Sequence, residues 1–252
     1  MVYMERIVIL SDHQARYNDL LTQRAYMTFL KDFQPDVVVN NGDLFDFAAL
    51  SSFRRTLTER ASLMEDVAAG RNILMKQREV LPRARIMLIE GNHEERLSRY
   101  LLDHAEALSD SPSLTLPQFV GLDEFGVDYI GPYGAGFDWH GVFVYHGARI
   151  APHSAYAARA ELYDAGTSGV SGHTHRLGAH YYTDRRESHV WLENGCLCNI
   201  RGPKVPPSER GPRVQNWQQG LSVGFYGNNL WNLYQVSITR HKFIWDGRVY
   251  EP

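Results

Sequence analysis

Ile86-Met87-Leu88-Ile89-Glu90-Gly91-Asn92-His93-Glu94 is a short apolar run that breaks at a glycine into an amide, an imidazole and a carboxylate. Four other places in the chain repeat the design. Ile7-Val8-Ile9-Leu10 runs into Asp12-His13-Gln14, and Val37-Val38-Val39 runs into Gly42-Asp43-Leu44-Phe45-Asp46. Val142-Phe143-Val144-Tyr145 runs into His146-Gly147, and the run around Val170 leads into Gly172-His173-Thr174-His175. Open α/β sheets bind ligands at the carboxyl ends of their strands. One Asp or His behind a strand means little. Five such ends, holding Asp, Asn, Gln and His, are hard to explain by packing.

The chain has 252 residues and a formal net charge of -3, which excludes a strongly basic polyanion binder at whole-chain level but leaves room for a local basic groove. No apolar stretch approaches the roughly 20 residues needed to span a bilayer, so no membrane association is expected. The amino terminus lacks a signal-peptide pattern, because Glu5 and Asp12 flank its first apolar run. Cys196 and Cys198 are the two cysteines. Their i, i+2 spacing puts them on one face of a strand, where neighbours rarely form a disulfide. They read as small apolar residues of a buried strand, and they point to a reducing, cytoplasmic setting.

No linker, repeat or low-complexity tract divides the chain, so residues 1–252 are read as a single domain. Leu20, Leu21, Met27, Phe29, Leu30 and Phe33 share one helical face. A second helical pattern follows Asp46, through Leu50, Phe53, Leu57, Met64, Val67 and Ala68. A third helix is predicted from about Glu94 to Leu108, with Pro112 ending it. Beyond that the chain turns β-rich: Tyr181-Tyr182, Val190 to Leu192, Leu197 to Ile200, Tyr234 to Ile238 and Phe243 to Trp245 read as strands. An alternating start with a β-rich end implies α/β architecture, a four-layer αββα sandwich of two mixed β-sheets flanked by helices.

Two divalent ions about 3.5–4 Å apart can activate a water and clamp both sides of an in-line phosphoryl displacement. Such a pair needs a bridging carboxylate with nitrogen and amide oxygen ligands on each side. The ordered series Asp12-x-Gln14, Gly42-Asp43-x-x-Asp46, Gly91-Asn92-His93-Glu94, His146 and Gly172-His173-Thr174-His175 resembles the calcineurin-like metallophosphoesterases, over residues 12 to 175. The resemblance implies that Asp43 bridges the two ions. Asp12, Gln14 and His175 would complete one metal site, and Asn92, His146 and His173 the other. It also implies that His93 binds no metal but steadies the phosphoryl group and protonates the leaving oxygen, with Asp46 holding its imidazole in the required tautomer. Substrate contacts fall to Asn92, His93 and Arg201. Glu94 reads as a supporting or helix-start carboxylate.

Two positions depart from the family pattern. Gln14 stands where the family has His, and His13 is no easy substitute because neighbours on an extended segment face opposite ways. A harder amide oxygen there favours Mn as the divalent metal, with Fe, Zn, Ni and Co as further candidates, and weaker binding at that site. Phe47 stands where the serine/threonine protein phosphatase branch has an Arg that grips phosphate. Losing that cation favours a monoanionic phosphodiester over a dianionic monoester. The segment Arg201 to Arg213, with Lys204, Arg210 and four prolines, reads as an extended loop able to form a basic rim. Trp217 either stacks a base or anchors that loop. Tyr133 to Phe137 reads as a turn. His104, His140, His153, His180, His189 and His241 match no motif position and read as structural or surface residues, with His153 kept as a rim candidate.

The strings Glu193 to Cys198 and Asn216 to Gly220 are similar to phage and prophage members of the superfamily. The expected function is metal-dependent hydrolysis of a phosphodiester of the nucleic acid or nucleotide class, with no obligate protein partner. The alternatives are a phosphomonoesterase or protein phosphatase, and a catalytically weakened binding module of the kind seen in retromer-type subunits.

Overall fold

Residues 4–52, 62–202, 205–206 and 215–252 are described in a computed structural model. Strands β1 (Glu5–Leu10), β2 (Val37–Asn41), β3 (Arg85–Ile89) and β4 (Val127–Ile130) run parallel as neighbours in one half of a sheet. Strands β5 (Gly136–Trp139), β6 (Val142–Tyr145), β7 (Ser168–Ser171), β8 (Leu177–Thr183) and β9 (Ser188–Asn194) form a second sheet in the order β5-β6-β7-β9-β8. The chain then returns to the first sheet. Strands β10 (Gln219–Gly227) and β11 (Leu230–Ile238) extend it antiparallel, giving β11-β10-β1-β2-β3-β4. A hairpin of β12 (Phe243–Trp245) and β13 (Arg248–Tyr250) follows.

Side-chain alternation decides which layer each strand residue enters. Ile7, Ile9, Val37, Val39, Met87 and Ile89 face the second sheet, where they meet Trp139, Val142, Val144, Val170, Val190 and Leu192. Val8, Leu10, Val38, Ile86 and Leu88 turn the other way, towards the helices α1 (Leu20–Phe33) and α2 (Leu63–Val80). The helices α3 (Arg96–His104) and α4 (Leu116–Val120) add Leu97, Leu101, Leu116 and Val120 to that side. The helix α5 (Tyr156–Ala165) covers the outer face of the second sheet through Ala158 and Leu162 against Trp191. The order is helices, sheet, sheet, helix, the sandwich expected from the sequence.

Several expected boundaries move. Helix α2 begins at Leu63, behind the cap of Ser62, while Ala48–Leu50 is a single 3-10 turn; Phe53, Leu57 and the charged residues between lie outside the described residues. Helix α3 starts at Arg96 rather than Glu94, because residues 92–95 are turns and the side chains of Asn92, His93 and Glu94 turn into the site. Leu20 and Leu21 are exposed, so the apolar face of α1 is carried by Tyr26, Phe29 and Leu30. Leu197 to Ile200 is no strand; it crosses between sheets with single bridges from Cys196 to Gln219 and from Cys198 to Asn18. Tyr133 and Gly134 do turn, but Gly136 and Phe137 continue into β5.

Helix α2 is keyed to β2 by a buried reciprocal pair, Asn40 Nδ2 to Gln77 Oε1 at 2.9 Å and Gln77 Nε2 to Asn40 Oδ1 at 2.8 Å. Two turns earlier Gly70 leaves room for the ring of Phe45, which would stand 2.2 Å from a Cβ at that position. Gly to Ala inside a helix normally stabilises by about 0.5–1 kcal/mol. Here Gly70→Ala is expected to destabilise instead, by about 1–3 kcal/mol for an overpacked core. A thermal melt reads the sign directly, and a melting temperature above wild type would contradict this packing.

Candidate metal centre

All five strand ends converge at one edge of the sandwich. Asp12 and Gln14 follow β1, Asp43 and Asp46 follow β2, Asn92 and His93 follow β3, His146 follows β6, and His173 and His175 follow β7. Ligand atoms of Asp43, His146 and His173 all lie within 4.8 Å of one another, and so do those of Asp12, Asp43 and His175. Asp43 belongs to both groups. Asn92 Oδ1 lies 3.1 Å from His146 Nε2 and 2.8 Å from His173 Nδ1, which puts it in the first group. Gln14 Nε2 lies 3.1 Å from His175 Nε2, in the second. His93 stands apart from both, with Nδ1 2.9 Å from Asp46 Oδ1 and Nε2 3.6 Å from Asp43 Oδ2.

The loops that carry these groups are held by buried carboxylates accepting backbone N–H groups. Glu94 accepts from Asp43 N (2.9 Å) and Gly91 N (2.9 Å) through Oε2, and from Phe45 N (2.8 Å) through Oε1. Asp66 of α2 accepts from Asp46 N (3.0 Å) and Phe47 N (2.5 Å). Glu161 of α5 accepts from Ala148 N and Arg149 N, each at 2.9 Å, just behind His146. Glu193 of β9 accepts from Ala158 N (3.0 Å) and from the Thr174 hydroxyl (2.9 Å) between the two histidines of the last block. Asp12 accepts from His173 N at 3.0 Å.

That clamping holds a backbone most residues avoid. Asp12, Gln14, Asp43, His173 and His175 all have positive φ, between 46° and 67°. Each non-glycine residue so placed costs about 1–3 kcal/mol and persists only where its surroundings over-determine it. The glycines of the motifs are needed for close approach. A Cβ on Gly91 would stand 2.3 Å from Asp43 Oδ1, and one on Gly172 would stand 2.6 Å from Asp12 Oδ2.

The electrostatics ask for a cation. Burial opposes charge on His146 and His175, yet the carboxylates of Asp43 and Asp12 outweigh it and push each imidazole up to about 10. Burial and the positive charge at His146 push His173 down to about 4. Burial and the charge of Asp43 push Glu94 up to about 8. Imidazoles driven to protonate beside buried carboxylates are groups that a divalent ion would serve by replacing the protons. The buried Gln14 Oε1 has no hydrogen-bond partner. The donor set therefore fits a pair of divalent ions, with imidazole, carboxylate and amide oxygen on both sides.

The structure changes several of the sequence-based readings. Glu94 is not at a helix start; it is the clamp between two loops. The Phe47 side chain does not face the site at all, since it is fully buried and stacked on Phe45 at 5.4 Å. A cation nevertheless reaches His93. Arg96 donates from Nη1 to the Asp46 carbonyl (2.6 Å), and its Nη2 lies 3.1 Å from His93 Nε2. Its i+3 spacing from His93 was the signal available. Cys198 is buried and free as expected, but in a connecting segment, with its thiol 3.8 Å from His175 Nδ1. Arg201 is outside both ligand groups. It lines a groove of about 880 Å³ with Asn199, Trp217, Arg240 and His241. The Trp217 ring lies 4.4 Å from that of His175, so this groove abuts the site. Lys204, Arg210 and Arg213 lie outside the described residues. His153 is exposed and packs on Tyr156, away from both groups.

Two imidazole-bearing groups that share one carboxylate, at the strand ends of a two-sheet sandwich, make an arrangement that could hold a pair of metal ions. The chain belongs to the calcineurin-like phosphoesterase family, whose sequence pattern matches residues 5–195. It is 30% identical over 257 residues to the Gene 54 protein of Mycobacterium phage L5, an alignment covering 98% of this chain and 99% of that one. The Gene 54 protein of Mycobacterium phage D29 is 28% identical, with the same coverage of both chains. Among solved structures, Vps29 from Entamoeba histolytica is similar at a TM-score of 0.49 and 11% identity, covering 98% of this chain and 97% of that one. Nuclease MPE from Pseudomonas putida is similar at a TM-score of 0.36 and 12% identity, covering 98% and 87%.

Glu94→Gln tests the clamp. It turns one accepting oxygen into a donor facing a backbone N–H, which is expected to cost about 1–3 kcal/mol of stability. The Asp43 loop should loosen with it, so a calorimetric titration with Mn should show weaker binding than wild type. Unchanged stability and unchanged metal affinity together would remove Glu94 from this role.

Proposed function

We propose that the chain is a metal-dependent phosphodiesterase acting on nucleic acid or nucleotides in the cytoplasm, with Asp43 bridging two divalent ions. Asp12, Gln14 and His175 would hold one ion, and Asn92, His146 and His173 the other. When bound, such a pair activates a water for in-line attack and neutralises charge on the phosphoryl oxygens. The single observation that carries the reading is the sharing of Asp43 between the two ligand groups.

The remaining chemistry belongs to His93. Asp46 accepts from its Nδ1–H, which fixes the tautomer and aims Nε2 towards the Asp43 side of the site. From there His93 would pass a proton to the leaving oxygen. The substrate class is supported by the groove beside His175. Its length, its arginines (Arg201 and Arg240) and the half-buried face of Trp217 suit a substrate that continues beyond the scissile phosphate. A second reading, hydrolysis of a phosphomonoester, is favoured by Arg96. The site has a cation beside His93 although position 47 does not supply it.

Hydrolysis of bis(p-nitrophenyl) phosphate with Mn is the direct measurement, and His93→Ala is expected to lower it by about 100-fold or more. Activity no higher than that variant with Mn, Ni, Co and Zn alike would sink the proposal. Gln14→His is expected to tighten metal binding at one of the two sites, because imidazole is the stronger ligand for these ions. Titration with Mn followed by calorimetry should then show one affinity raised and the other unmoved. Trp217→Ala is expected to raise the KM for a single-stranded oligonucleotide by about tenfold, from loss of stacking. The KM for bis(p-nitrophenyl) phosphate should stay within twofold of wild type, and an equal rise for both would place Trp217 outside substrate binding.

A further inference from the structure

We infer that Arg96 is the phosphate-gripping and specificity-determining residue of this site, exchanging its contact with His93 for one with a phosphoryl oxygen when substrate binds. The inference rests on the reading of the site as a phosphoesterase centre. Its evidence is the guanidinium's placement. Nη1 is anchored on the Asp46 carbonyl at 2.6 Å, while Nη2 reaches His93 Nε2 at 3.1 Å. With Nδ1–H committed to Asp46, Nε2 of His93 is an acceptor in this arrangement. It is also the imidazole nitrogen that lies 3.6 Å from Asp43, the carboxylate shared by the two ligand groups. Arg96 therefore stands one imidazole nitrogen away from where a phosphoryl group must bind.

The two roles around Nε2 compete. An imidazole that serves the leaving oxygen needs Nε2 protonated and turned to the substrate, whereas Arg96 donates to that nitrogen. Arg96 must withdraw and Nε2 must take a proton from water before His93 can give one to the leaving oxygen. The anchor on the Asp46 carbonyl resolves the competition. Nη1 holds the guanidinium in place while Nη2 pivots from imidazole to phosphate, and the planar fork is suited to phosphoryl oxygens. Both side chains are accessible from the site, at 17% exposure for Arg96 and 16% for His93. Other arginines near the motifs are placed elsewhere: Arg176 donates to the carbonyls of Ala151 and Asn216, Arg149 pairs with Asp164, and Arg16 lies over the Tyr17 ring. Phe47 is buried, so the position that carries the gripping arginine in related phosphatases is closed here, and Arg96 reaches the site from the next strand end instead.

Charge decides what such a residue does for specificity. A dianionic monoester gains more from a fixed cation than a monoanionic diester does. Arg96→Gln is expected to lower kcat/KM for p-nitrophenyl phosphate by about tenfold or more. The value for bis(p-nitrophenyl) phosphate should fall less than threefold, and Arg96→Lys should recover part of the monoester loss. Inorganic phosphate titrated into the metal-loaded protein gives a readout independent of turnover, with Arg96→Gln expected to weaken its binding by a similar factor at unchanged metal content. Equal losses on both substrates, with phosphate affinity unmoved, would reduce Arg96 to a strut for the Asp46 loop and leave the phosphoesterase reading intact. A wild type that turns over neither ester and binds no phosphate would overturn both.

Discussion

The centre depends on one kind of interaction: a buried carboxylate accepting backbone N–H groups from a loop that it does not belong to. Glu94 ties the β3 end to the β2 end, Asp66 ties helix α2 to the β2 end, and Glu161 ties helix α5 to the β6 end, while Glu193 links α5 to the β7 end through Ala158 N and the Thr174 hydroxyl. A buried backbone N–H left without a partner costs about 1–3 kcal/mol. Satisfying several of them at once helps offset the left-handed conformations of Asp12, Gln14, Asp43, His173 and His175. Loops on their own would relax into commoner backbone regions and scatter the ligands. The clamps give the donor atoms fixed positions before any ion arrives.

Sheet architecture supplies the rest. Parallel strands β1, β2 and β3 end at one edge, and β6 and β7 of the facing sheet end at the same edge. The apolar layer between the sheets, from Ile7 to Leu192, sets how far apart those ends stand. Gly91 then lets the Asp43 side chain approach the neighbouring loop of the same sheet, and Gly172 lets the Asp12 side chain reach the backbone of the facing sheet's loop. Distances within the site are consequences of core packing some way beneath it.

Much of this was legible in the chain. Strands buried on both faces read as apolar runs, and β1, β2 and β3 show this most plainly where they lead into the candidate ligands. The candidate ligands stood out because Asp, Asn and His rarely follow such runs in so regular an order. Other parts were hidden for physical reasons. Strand β10 carries Gly220, Gly224 and Gly227, which weaken any strand pattern, and its place is won by pairing with β1 rather than by propensity. The clamping carboxylates look like ordinary acidic residues of helices and strands, since their partners are backbone groups distant in sequence. Phe47 misled because position along a chain does not say which way a side chain turns. Arg96 escaped notice because it lies one step past the motif, in the first turn of a helix that starts later than its pattern implied.

Strand β10 also bears on how the protein is made. Asp12 takes hydrogen bonds on its carbonyl from Leu197 and Cys198, and β1 is flanked on one side by residues 219–227. A chain emerging from a ribosome exposes every ligand residue by position 175, yet β1 is still an open edge at that point. The floor under Asp12 and Gln14 closes only after residues 197–198 and 219–227 have followed. The nascent protein thus carries all the candidate ligand side chains for some time before β1, which leads into Asp12 and Gln14, is paired on both edges, and that pairing waits for β10, which β11 then follows into the sheet.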